Sequence, residues 1–257
     1  MKYLAATLLI AAALIAPTAQ PAPVKATVVL VHGAFADGAS WNGVAKILKK
    51  DGYGAIAVAV PLRGVRSDAQ YVSDLLASLP APIVLVGHSY GGMVISAAGN
   101  GNDKVKALVY VGAFAPEAGD TALSLSGKFP GSTLGPTLGA PVKLADGNKD
   151  LYIQQDKFHA QFAADVPLDE AVAMAVSQRP VAEAALGEAA GEPAWKTIPS
   201  WFVYGEKDLN IPAQALGFMA ERAKSKETVV VKGASHVVMV TNPKTVAAII
   251  ERAAAAK

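Results

Sequence analysis

Short apolar runs recur along this chain, at residues 27–31, 55–60, 83–86, 105–111, 201–204 and 228–231, with Lys106 the one charged residue inside them. A strand with no polar alternation is buried on both faces, as in a parallel sheet covered by helices. Between the runs, residues 41–50, 67–79, 91–98, 211–223 and 243–255 carry apolar side chains at helical spacing. Alternating strands and helices require right-handed crossovers, so the pattern predicts an α/β fold with a mainly parallel, doubly wound sheet. Functional side chains are then expected at the carboxyl ends of the strands.

The rhythm breaks between about residues 114 and 199. There a turn-rich stretch, 127–141, precedes two helix-like stretches, 149–164 and 168–178. This reads as a helical cap inserted over the sheet. Its Phe129, Leu134, Phe158, Phe162, Met174 and Trp195 suit a lid lining an apolar pocket, with plain packing against the core as the alternative for each. Ahead of the first strand, Met1-Lys2-Tyr3 opens a stretch whose remainder, residues 4–24, carries no charge. A basic start, an apolar run of about a dozen residues and a small-residue tail predict a secretory signal peptide over residues 1–20, cut near Gln20. Residues 21–257 then form the catalytic domain, periplasmic or secreted, with no membrane span after cleavage. A retained N-terminal anchor is the competing reading.

Composition narrows the chemistry. The chain has no cysteine, which excludes a disulfide framework and thiolate metal ligation. A net charge of +2 without a dense basic cluster makes no electrostatic case for nucleic acid. A small, largely apolar substrate fits better, with no metal or organic cofactor needed by the residues discussed next. Oligomeric state leaves no mark in the sequence.

Gly87-His88-Ser89-Tyr90-Gly91 lies between a strand run and a helix run. A strand that turns at once into a helix needs residues without a Cβ two before and two after the serine, and it thrusts that hydroxyl out over the strand ends. Ser89 is therefore the expected nucleophile, with the first N–H of the following helix, that of Tyr90, aimed at a developing oxyanion. A serine hydroxyl needs an imidazole base and a carboxylate that orients it. Downstream, Tyr204-Gly205-Glu206-Lys207-Asp208 and Lys232-Gly233-Ala234-Ser235-His236 each follow an apolar run. They supply His236 as base and Asp208 as acid, Glu206 being the rival for the latter. After the first strand, His32-Gly33-Ala34-Phe35 supplies the second oxyanion donor, the N–H of Ala34. Of the four histidines, His32 and His88 are expected to support loops, while His159 faces either pocket or solvent. Phe35, Phe158, His159, Phe162 and Val237 are the candidate pocket residues.

Together the 31–41 segment, the 87–92 elbow, Asp208 ahead of Ile211-Pro212, and Gly233-Ala234-Ser235-His236 resemble small enzymes of the α/β-hydrolase fold. The branch most similar contains plant methyl esterases and plant hydroxynitrile lyases, and bacterial α/β-fold hydrolases look closer still. That resemblance spans nearly all of the chain beyond the opening segment and implies a Ser-His-Asp enzyme cleaving a small ester. In the lyases a threonine follows the first-strand histidine, and a lysine after the catalytic histidine stabilises departing cyanide. Gly33 and Val237 occupy those places here. Ester hydrolysis needs only an oxyanion hole and water, so it is the expected reaction. Lyase or other non-hydrolytic chemistry on the same triad, and a ligand-binding protein with residual hydrolase activity, are the alternatives.

Overall fold

The computed structural model describes residues 25–256. The expected signal peptide lies outside the described residues. Among the described residues nine strands follow one another: β1 (Thr27–Val31), β2 (Gly54–Val58), β3 (Ile83–His88), β4 (Val105–Val111), β5 (Val142–Lys143), β6 (Lys149–Leu151), β7 (Val181–Ala182), β8 (Ser200–Gly205) and β9 (Thr228–Val231). Six of them form a wholly parallel sheet in the order β2-β1-β3-β4-β8-β9. Every residue of β3 is buried, as its unbroken apolar run requires. At the edges, β2 and β9 are mostly exposed or half-buried, because one flank faces water.

Helices α1 (Asn42–Lys50), α2 (Val65–Ser78) and α3 (Gly91–Ala98) connect the first four core strands. Between β4 and β8 lie α4 (Ala122–Ser126), α5 (Gln155–Phe162), α6 (Leu168–Ser177) and α7 (Glu183–Gly187). The chain finishes through α8 (Ala213–Arg222), α9 (Val238–Thr241) and α10 (Pro243–Ala255). α1 packs with α10 as one helix layer on the sheet, and α2 packs with α3 as the other. Among the described residues no helix is long and apolar enough to cross a membrane.

The chain leaves β1 for β2 on one side and returns to β3 on the other, so a crevice opens where the winding reverses. The loops after β1 and β3 meet there. Within the insertion one expectation fails: residues 149–164 are not a single helix. Lys149–Leu151 is instead the middle strand of a small antiparallel sheet, β5-β6-β7, and the helix starts only at Gln155. Strands of two or three residues carry no readable period. β6 is fixed by its partners, Val142-Lys143 and Val181-Ala182, and by the ion pair of Asp150 with Arg63.

Candidate active site

β3 ends at His88, and Ser89 follows with φ +52, a left-handed conformation that costs a residue with a side chain about 1 kcal/mol. Main-chain bonds hold it there: the Ser89 carbonyl accepts from Gly92 N at 2.9 Å and Phe114 N at 3.2 Å. The two flanking glycines are required by contact. A Cβ on Gly87 would stand 2.6 Å from the Gly91 carbonyl oxygen, and one on Gly91 would stand 2.6 Å from that of Val31. Ser89 is 7 % exposed and lines a narrow cavity of about 50 Å³ with Ala34, Phe35, Tyr90, Leu134 and Leu186.

The β8 loop brings up a buried carboxylate. Asp208 Oδ2 lies 2.7 Å from His236 Nδ1, both side chains wholly buried. Its other oxygen, Oδ1, accepts from Asn210 N and Ile211 N, each at 2.9 Å, so the carboxylate is locked by its own turn. Glu206 is exposed and accepts instead from Gly233 N at 3.1 Å. Between the rivals, Asp208 is the carboxylate at the imidazole. With Nδ1–H directed at Asp208, Nε2 of His236 carries the lone pair. That atom is buried and has no hydrogen-bond partner among the described residues, so no Ser89–His236 bond is formed in this structure. Catalytic hydrogen bonds often close only when substrate is bound.

Ala34 and Tyr90 both face the cavity with Ser89. Neither N–H is spent on another main-chain acceptor among the described residues, whereas the neighbouring Phe35 N–H donates to Arg179 O at 3.1 Å. His32 supports its loop as expected: Nε2 accepts from Val60 N at 3.0 Å, and Nδ1 meets Gly33 O at 2.9 Å. Burial holds its pKa below the usual histidine value. His88 donates from Nε2 to the His236 carbonyl at 3.2 Å, and burial drives its pKa well below the usual value. The two rings sit 4.7 Å apart.

Of the candidate pocket residues, Phe35 lines the cavity, and the other four do not. Phe158 is buried against Phe162, with centroids 4.9 Å apart. Phe162 packs edge-on against the His236 ring, with centroids 5.0 Å apart. His159 is half-buried away from the cavity, and its Nε2 bonds Val166 O at 2.9 Å, closing the turn after α5. Val237 is buried behind His236 at the start of α9.

Three supporting groups escaped the sequence reading. Buried Asp68 on α2 accepts the Tyr90 hydroxyl at 2.9 Å, and burial raises its pKa. Its place among Val65, Ala69, Val72 and Leu76 on the buried face of α2 was a legible anomaly, a carboxylate inside an apolar stripe. Asp165 accepts from Ser235 N at 3.1 Å and from the Thr241 hydroxyl at 2.8 Å, while Gln161 Nε2 reaches Leu209 O and Asn210 Oδ1. Nothing local in the sequence marks either.

Residues 28–249 match the description of the alpha/beta hydrolase family, which is most of the chain. This chain belongs to the alpha/beta hydrolase family. It is 34 % identical over 113 residues to a carbendazim hydrolyzing esterase from Nocardioides sp. strain SG-4G, a match covering 39 % of this chain and 47 % of that protein. To an alpha-hydroxynitrile lyase from Arabidopsis thaliana it is 24 % identical over 84 % of this chain and 92 % of the other. Among solved structures, polyneuridine aldehyde esterase superposes with a TM-score of 0.76 at 17 % identity, over 89 % of this chain and 99 % of that one. This family member is thus similar in fold to an esterase and in sequence to an esterase and a lyase alike.

Proposed function

We propose that the protein is a carboxylic-ester hydrolase acting on small, largely apolar esters through an acyl-enzyme on Ser89. The observation that supports this reading most is the buried Asp208–His236 pair, whose Nε2 has no hydrogen-bond partner among the described residues, alongside a serine held at φ +52 in a glycine-flanked turn. In the reaction Ser89 Oγ attacks the ester carbonyl and passes its proton to His236 Nε2. The N–H groups of Ala34 and Tyr90 stabilise the oxyanion. As the carbon–oxygen bond to the alcohol breaks, the same proton goes to the departing oxygen, and a water activated by His236 then releases the acid. Ala122, Leu123, Leu134, Leu186 and Ile211 around the cavity favour an apolar acyl group. The insertion over residues 114–199 acts as the cap of this site, and the opening segment directs export to the periplasm or medium.

Short p-nitrophenyl esters test the reading. The wild type should turn them over, Ser89→Ala should not, and a fluorophosphonate should add to Ser89 alone, as read by mass spectrometry. Asp208→Asn should lower kcat by orders of magnitude because the amide leaves the imidazole in the wrong tautomer. Equal rates for wild type and Ser89→Ala would end the proposal. The likeness to the Arabidopsis lyase favours cyanohydrin cleavage as a second reading, yet apolar Val237 offers departing cyanide no cation. Cyanide release from a cyanohydrin decides between them.

A further inference from the structure

The cavity at Ser89, about 50 Å³, is well below the several hundred cubic ångströms of an ordinary ligand site. One of its walls, Phe35, is also the wall of a much larger cleft of about 480 Å³ between the start of α1 and α6. Lys46 and Asn42 stand on one side of that cleft, and Met174, Ser177 and Glu170 on the other. Phe35 is itself strained, a non-glycine residue at φ +60, kept in place by its N–H bond to Arg179 O and by edge contact with Phe162, 6.3 Å between centroids. Main-chain strain at a residue separating two spaces is the kind that functional sites retain.

Resting on the ester-hydrolase reading, we infer that this outer cleft is the subsite for the alcohol half of the substrate, reached past the Phe35 ring. The rings fix which half goes where. His236 must hand its proton to the departing alcohol, so the alcohol leaves on the histidine's side of the scissile bond. From His236 a line of rings runs through Phe162, 5.0 Å away, to Phe35 and the cleft behind it. The apolar cavity beneath the insertion is left for a short acyl chain. The mixed rim fits an uncharged alcohol: Lys46 and Glu170 offer one charge of each sign, and Asn42 and Ser177 offer hydrogen bonds. The substrate class is therefore an ester of a short acid with a long alcohol, apolar along its length and hydrogen-bonding at its far end.

The test compares ethyl acetate with the acetate of a long phenylalkyl alcohol ending in a primary amide, both followed by acid release. Ala173 and Lys46 are exposed helix positions on opposite walls of the cleft, so Ala173→Trp and Lys46→Trp fill it without entering the core. Each should lower the ratio of kcat/KM for the long ester over the short one at least tenfold. The free long alcohol is also titrated calorimetrically into Ser89→Ala, and each tryptophan should weaken its binding at least tenfold. A ratio and an affinity that both stay within twofold of the parent in both variants overturn the inference, as does an alcohol that does not bind. If the alcohol binds in a way that either tryptophan weakens but the wild type hydrolyses neither ester, the ester-hydrolase reading fails and the cleft stands as a binding site.

Discussion

Two buried imidazoles tie this protein's stability to pH. His32 and His88 are wholly inaccessible, and burial lowers the pKa of both, the latter strongly. Unfolded, each takes up a proton as pH falls through about 6.5; folded, each resists it. The unfolded chain then binds more protons, so stability present above that pH is lost as acid is added, with a limiting slope of about 1.4 kcal/mol per pH unit for each group. His88→Gln can keep the donation to the His236 carbonyl while removing one such group. Its urea midpoint should fall less than that of the wild type between pH 7 and pH 5, and parallel curves would show that His88 charges as readily folded as unfolded. At this scale the sequence was most legible where chemistry dictates geometry, since few local arrangements project a serine as a glycine-flanked turn does. Glu206 was a rival to Asp208 in sequence because both occupy one loop. They differ because Oδ1 of Asp208 caps its own turn and thereby points Oδ2 at His236.

Among the elements, the end of β8 controls His236 as firmly as the elbow controls Ser89. A Cβ on Gly205 would stand 2.3 Å from the carbonyl oxygens of both Ala234 and Ser235, the residues just ahead of His236. Neither side of this contact is a side chain that can swing away, so Gly205→Ala must push the histidine loop off the sheet. A misplacement of about 1 Å at a reacting group costs on the order of a hundredfold in rate. Gly205→Ala should therefore lose about that much kcat on a p-nitrophenyl ester and about 1–3 kcal/mol of stability in urea. Unchanged kcat would mean that the loop yields without moving the imidazole. The core strands that carry these loops were readable because burial on both faces forces an unbroken apolar run. β6 was not readable, because Asp150 and Leu151 are held by tertiary partners, Arg63 and Val181 among them.

Across the whole molecule, the insertion is fastened to three loops to which the proposed function assigns roles. Arg179 O holds the Phe35 N–H beside Ala34, Gln161 holds Leu209 and Asn210 beside Asp208, and Asp165 holds Ser235 and Thr241 on either side of His236. Site geometry is thus a property of the docked insertion as well as of the sheet. Asp165 offers the cleanest cut, because its side chain is exposed and Asp165→Ala leaves no cavity. Two hydrogen bonds worth about 1 kcal/mol each are lost, which raises the open population of the histidine loop about thirtyfold if they break together. Amide exchange over residues 232–242 should accelerate by about that factor, with exchange in β1 and β3 unaltered. Catalysis should weaken mainly in kcat, since the carbonyl still binds while its base is less often in position, and Asp165→Asn, which retains one acceptor, should fall between. Acceleration confined to residues 163–167 would instead mean that the loop is held by the sheet alone and that the insertion rests on the site without steadying it.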